Sequence, residues 1–221
     1  MILSPIIISI RIAIVSTIFT LIIGVFLSRI MTKYNFKGKD ILEVIVLMPM
    51  VLPPSVIGYG LLILIGKRGI IGGPLYDVFG IRLIFTWGAA CIAAIIVSLP
   101  LMYQSCKNAF LGIDHYYEDA AMSLGANKRI VFWKISLPLA LPGILGGIVL
   151  AFARSLGEFG ATLMVAGNIP GKTQNIPLAI YFAVEVGDTK TANILLGIVV
   201  VFSFIVVYGV NRWMKKKGLK S

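Results

Sequence analysis

Five runs of about twenty apolar residues, at 6–28, 43–65, 83–105, 139–157 and 192–211, limit what this chain can fold into. Each is long enough to cross a hydrocarbon layer of about 30 Å as an α-helix. In lipid a backbone must satisfy its own hydrogen bonds, so helix is the conformation open to such runs. Of the 221 residues, 58% are hydrophobic and 13% charged, against about 25% charged in an ordinary soluble domain. A water-soluble globule of this length has too little interior to hide that much apolar surface. Disorder and a disulfide-stapled secreted module are excluded as well. The expected class is an all-α, polytopic membrane protein, one transmembrane domain over 1–221 with about five helices. A shorter apolar stretch, 176–186, is interrupted by Glu185 and reads as a short interfacial or re-entrant helix.

The net charge is +11. On a soluble chain that would suggest nucleic acid; here the charges fall between the apolar runs and report topology, so no nucleic-acid partner is expected. The segments after the first, third and fifth runs hold thirteen of the 20 basic residues, among them Arg29, Lys33, Lys107, Lys128, Arg212, Lys215, Lys217 and Lys220. The positive-inside rule places these in the cytoplasm. The N-terminus is then expected outside and the C-terminus inside, which suits an odd number of spans. Cys91 and Cys106 lie about 22 Å apart if they share a helix, too far for a disulfide, and read as small buried hydrophobes. The lone His115 has no partner at ligand spacing, so no metal site is expected. A basic n-region and a small-residue cleavage site are not visible at the N-terminus, and a cleaved signal peptide is not expected.

The segment 106–138 is the longest cytoplasmic connection and carries the clearest local signals. Asp114 is placed to cap a helix whose first turn holds Glu118 and Asp119, where the helix dipole favours anions. Tyr117, Ala120, Ala121 and Leu124 recur at helical spacing on one face. Gly125 stands where a C′ glycine stops a helix. Asn127 can cap a second stretch, 128–135, with Pro138 beyond it. The two alanines make a shallow face able to seat in another protein's groove. An amphipathic helix lying on the membrane surface reads equally well from the residues alone.

Asp119-Ala120-Ala121, then Gly125, then Ile135, Leu137 and Pro138, resembles the EAA signature of binding-protein-dependent importer permeases of the ATP-binding cassette (ABC) class. The spacing matches position for position, with Asp119 standing where the family usually has Glu and Glu118 beside it. Further stretches resemble the molybdate branch of that family: Arg154–Thr162, Ala166–Thr173, Pro53–Gly58 and Gly66–Gly69. Related sulfate permeases share a Gly-Glu-aromatic-Gly element. The resemblance implies a type I importer fold with a cytoplasmic coupling helix. It implies ATPase coupling through Tyr117, Glu118, Asp119, Ala120, Ala121, Leu124 and Gly125, with either carboxylate open as the main contact. It also implies a homodimer, two ABC ATPase subunits and an extracytoplasmic molybdate-binding protein. No cofactor is expected on this chain, ATP being bound by the partner.

Arg154 and Glu158, four apart at the outer end of the fourth run, fall on one helical face. They read either as a structural ion pair or as part of an outer gate or anion path. Ser155, Thr162 and the Pro53-Pro54-Ser55 break are the other expected path or gate residues. Pro49, Pro53, Pro54 and Pro100 interrupt helical hydrogen bonding, and a broken backbone at membrane depth either kinks packing or lines a cavity. Gly143, Gly146 and Gly147 permit close helix approach. Trp87, Tyr103, Tyr208 and Trp213 read as interface anchors. The stretch Gly167–Thr173 looks like a phosphate-binding loop but has three residues between its glycines where four are needed, and no strand is expected before it. With no nucleophile or metalloprotease motif in the chain, an enzyme is not expected. The remaining readings are the same permease class carrying tungstate or sulfate, and a channel or membrane scaffold that needs no ATPase.

Overall fold

The computed structural model describes residues 2–216. Lys217 and Lys220 of the basic tail lie outside the described residues, as do the side chains of Trp213, Lys215 and Lys216. The described chain is helical throughout. In order the helices are α1 (Leu3–Lys33), α2 (Lys39–Leu47, continued by a 3₁₀ turn to Met50), α3 (Pro54–Ile65) and α4 (Gly72–Phe79). There follow α5 (Trp87–Leu111), α6 (His115–Ser123) and α7 (Lys128–Val131), the last joined by a π-helical turn, Phe132–Ser136, to α8 (Leu137–Leu156). The chain ends with α9 (Gly160–Ala166), α10 (Ile176–Glu185) and α11 (Thr189–Lys216).

Four helices are long and apolar enough to span a membrane: α1, α5, the continuous 128–156 helix and α11. The expected second span is different. Lys39–Met50 and Pro54–Ile65 are bent by 116° at the Pro53-Pro54 break. Twelve helical residues reach only about 18 Å, so neither piece crosses alone. The prolines were legible as interruptions; the turn is far sharper than the kink they suggested. Counting the bent pair as one span gives five.

Helix α5 is the hub, packed against α1, α8 and α9. Its buried side is small: Ala89, Ala90, Ala93, Ala94 and Ser98 are all fully buried. The buried side of α1 is small too, with Ala13, Ser16, Thr20, Gly24 and Ser28, while Ile7, Ile18, Ile22 and Phe26 face outward. This is the reverse of a soluble amphipathic helix. Lipid is as apolar as leucine, so burying large aliphatics gains little, and small residues win because they allow close backbone approach. Ser16 Oγ donates to the Ile12 carbonyl at 2.6 Å and Thr17 Oγ1 to that of Ala13 at 2.6 Å, back into their own helix, whereas Ser9 Oγ accepts the Ile176 N–H of α10 at 2.7 Å. A Cβ on Gly24 would stand 2.6 Å from Met102 Cγ.

Gly143 and Gly147 likewise admit Ala109 and Ser105 of α5, whereas Gly146 faces open space. Tyr103 is corrected: it is fully buried in the bundle and no interface anchor. Its position on α5 faces α1 and α2, packed with Met31 and Val46. Trp87 does sit at a helix end, with Arg11 stacked 4.0 Å above its ring. Cys91 and Cys106 are free and buried, both on α5.

Candidate functional site

Two polar clusters stand at opposite ends of the bundle, and each is built around one buried glutamate. The first holds α6. Its start is fixed by Asp114, whose carboxylate accepts the Tyr116 N–H at 2.9 Å. Its end is fixed by Gly125, at φ +89°, where a side chain would be strained although space is open. Asn127 Oδ1 then accepts the Ile130 N–H at 2.9 Å and starts α7. All three caps were predicted, because capping is decided within four residues.

What the local pattern left open is which carboxylate faces in. Glu118 is 3% exposed and Asp119 lies on the open side. One oxygen of Glu118 accepts from Arg29 at 2.9 Å and from the Ser136 hydroxyl at 2.6 Å; the other accepts from Lys33 at 2.6 Å. Burial pushes this carboxyl up, but the hydrogen bonds from Lys33, Ser136 and Arg29 outweigh it and hold it at about 2. Glu118 thus clasps α6 to the last turns of α1 and to the π-helical turn that opens α8. Arg29 also lies 5.6 Å from the ring centres of both Phe110 and Phe132, so the end of α5 joins the same knot. Close by, Lys107 pairs with Glu43.

The exposed side of α6 is not the shallow alanine face expected. Ala120 and Ala121 are half-buried, while Tyr116 is 73%, Tyr117 55% and Leu124 89% exposed. Two tyrosines, Asp119 and a leucine therefore form a protruding, mostly apolar knob.

The second cluster lies where α8 ends. The ion pair expected there exists, Arg154 Nη1 to Glu158 Oε2 at 2.9 Å. Glu158, however, is not on the helix: α8 stops at Leu156, and Glu158 sits in the break before α9. It is 1% exposed. Its Oε1 accepts the Ala161 N–H at 2.9 Å and caps α9. Its Oε2 is close to Arg154 but misaligned for a hydrogen bond, and the buried hydroxyls of Ser155 and Thr162 also lack a partner. Asn175 holds the break from outside the expected set: its Nδ2 donates to the Glu158 carbonyl at 2.7 Å while its Oδ1 caps α10. The Asn before Ile-Pro is an N-cap signature that could have revealed it.

The two stretches read separately as break and gate meet in space. A Cβ on Gly160 would touch Pro54 Cβ at 3.0 Å, and one on Gly58 would press on Ala161 and Met164 at 2.8 Å. Short helices α3 and α9 pack on each other against α5. Pro53, Pro54 and Ser55 are exposed at that junction, and Thr162 is buried beneath it. The stretch Gly167–Thr173 is a tight turn preceded by helix α9.

A bundle of spanning helices, a bent pair and a short capped helix clasped beneath it are the parts of a transport-system membrane subunit. Residues 20–218 match the family described as binding-protein-dependent transport system inner membrane component, and the chain belongs to that family. It is 44% identical over 209 residues to the putative molybdenum transport system permease protein YvgM of Bacillus subtilis, covering 95% of this chain and 92% of that one. It is 40% identical over 211 residues to the molybdenum transport system permease protein ModB of Escherichia coli K12, covering 96% and 92%. The sulfate transport system permease protein CysT of Salmonella typhimurium is more distant, 31% identical over 93% of this chain and 74% of its own. Among solved structures, the inward-facing MetNI methionine ABC transporter superposes with TM-score 0.76 at 16% identity, covering 100% of this chain and 96% of the other. A bacterial alginate ABC transporter gives 0.78 at 15%, covering 97% and 79%. These establish a type I ABC importer permease fold.

Proposed function

We propose that this chain is the permease subunit of an ATP-driven molybdate importer working by alternating access. The observation that carries the reading is the α6 knob, exposed on one side and clasped by Glu118 on the other. A separate ABC ATPase grips Tyr116, Tyr117, Asp119 and Leu124. When the ATPases close on ATP, the push on α6 passes through Glu118 to Arg29 and Lys33 at the end of α1, and through Ser136 into α8. The far end of α8 carries Arg154, whose charge attracts a dianion, with Glu158 tempering the attraction so that the ion is released. The break at Pro53–Ser55, packed on α9, forms part of the gate. The relatives named as molybdenum permeases support molybdate as cargo.

The basic residues concentrated around α6 support a cytoplasmic location for that end, with the N-terminus outside. Five spans enclose a path poorly alone, so a homodimer places it on the two-fold axis. An extracytoplasmic binding protein delivers the anion. ATP stays on the partner, and this chain carries no cofactor.

The test is uptake of molybdate by vesicles holding the chain and its co-purified ATPase, with sulfate and tungstate as competitors. Leu124→Asp is expected to release the ATPase and abolish uptake. An ATPase that stays bound to that variant overturns the docking. Sulfate taken up in preference to molybdate overturns the cargo, a reading that the 31% identity to a sulfate permease makes worth the comparison.

A further inference from the structure

At the end of the bundle remote from α6 lies a cavity of about 440 Å³, lined by α1, by the segment entering α5 and by the α9–α10 turn. Arg11 and Lys172 both line it, with Thr86, Trp87 and Thr173, and no carboxylate does. The four ion pairs among the described residues lie elsewhere. Arg11 is 18 residues from Arg29, about 27 Å along α1, so the cavity and the Glu118 clasp occupy opposite ends.

The cavity is shaped before any ligand arrives. The Arg11 guanidinium carbon lies 4.0 Å from the centre of the Trp87 ring, a cation–π contact that restrains where the charge sits. The turn bearing Lys172 is fastened by Thr173, whose hydroxyl donates to the Gly167 carbonyl at 3.0 Å and accepts the Ile169 N–H at 3.1 Å. Backbone N–H groups of Lys172 and Thr173 both reach the Ile169 carbonyl, at 3.0 and 2.9 Å, and Gly171 takes φ +76° to allow it. Phe85, the one non-glycine residue described with positive φ (58°), is pinned beside it by its N–H on the Val165 carbonyl at 2.8 Å.

Arg11 lies about 12 Å from the start of α1, against Trp87, where its charge can meet water or a lipid headgroup. A guanidinium and an ammonium lining one hollow, with no carboxylate beside them, suit the oxygens of a phosphate-type group. Trp87 at a span end marks headgroup level.

We propose that Arg11 and Lys172 form an oxyanion site, which binds a tetrahedral phosphate-type group, carried either by a phospholipid head or by a free dianion. The site goes beyond the transport reading, and its test reads binding rather than uptake, so the two stand or fall separately.

The full-length chain, purified with its partners in mild detergent, is tested with three probes: phosphatidylglycerol-containing vesicles against phosphatidylcholine alone, inorganic phosphate, and molybdate. Bound lipid is weighed by native mass spectrometry, and free anions are titrated by their shift of the thermal midpoint. Arg11→Gln and Lys172→Gln should each weaken binding about threefold or more, and the pair about tenfold. Lys190→Gln, outside the cavity, should change nothing. Retention of phosphatidylglycerol that is lost in the variants assigns the group to a lipid head; a phosphate or molybdate shift lost in the variants assigns it to a free anion. Lys172 is exposed on a turn fastened by other residues, so Lys172→Gln decides alone if Arg11→Gln does not fold. Equal behaviour of the native chain, Lys172→Gln and Lys190→Gln toward all three probes overturns the site. Uptake and its competition by sulfate would be untouched by that result.

Discussion

The two buried glutamates invite comparison. Glu118 and Glu158 are almost equally hidden, each with an arginine at 2.9 Å, and each stands beside a helix terminus. Yet every oxygen of Glu118 is hydrogen-bonded, to three side chains from two other elements. Glu158 keeps one oxygen without an aligned donor, and the hydroxyls of Ser155 and Thr162, three residues before it and four after, are unpartnered too. Full satisfaction makes a rigid joint; incomplete satisfaction leaves buried donors and acceptors with bonding capacity unused. The same residue pair is therefore a fully bonded clasp at one end and an incompletely bonded buried cluster at the other.

The comparison breaks most sharply if Glu118 is removed. Glu118→Ala strands Arg29 and Lys33 against each other and should cost about 3 kcal/mol, the lower end for a broken buried pair because both cations are partly exposed. Unfolding in detergent measures it. Arg154→Gln should cost less in stability but lower uptake about tenfold, since the cation proposed to attract the anion is gone while α6 stays clasped; wild-type uptake with normal ATPase attachment would count against an anion path there. Gly125→Ala, forced into φ +89° without a clash, should cost about 1–2 kcal/mol and loosen ATPase binding. Ser155→Ala and Thr162→Val should be the mildest, within about 1 kcal/mol of wild-type stability, because the deleted hydroxyls have no partner to lose. A large destabilisation would show that these hydroxyls are satisfied in the folded protein.

Acid sharpens the contrast. The Glu118 carboxyl is held at about 2, below its ordinary value of 4.5. Its folded pKa is depressed, so the unfolded chain binds the proton first on acidification. The clasp's contribution is therefore complete above about 4.5 and lost as pH falls toward about 2. Midpoints of unfolding measured across that window should drop in the native chain, and Glu118→Gln should remove this part of the slope.

Features confined to a few neighbouring residues could be read without the fold. Asp114, Gly125 and Asn127 each act on backbone groups within four positions, and the apolar runs at α1, α5 and α8 carry their meaning in their own composition. Features that join distant segments could not. Glu118 and Asp119 are adjacent and chemically alike; Arg29 and Lys33, more than 80 residues earlier, turn one inward. Three prolines announced an interruption near residue 50, but the 116° angle came with the packing of α3 on α9. Tyr103 looked like an anchor because aromatic residues near span ends often are; burial against Met31 and Val46 says otherwise.

Hydropathy by itself placed this chain in a bilayer and made it helical, since transfer free energy accumulates residue by residue and an unpaired backbone is prohibitive in hydrocarbon. Its caps and spacing also marked out the short helix beneath the bundle. Only the tertiary structure decided which carboxylate became a clasp, which stayed incompletely bonded, and where the bent pair lies. Those outcomes depend on charges and surfaces brought together from far along the chain, and no local window contains both partners.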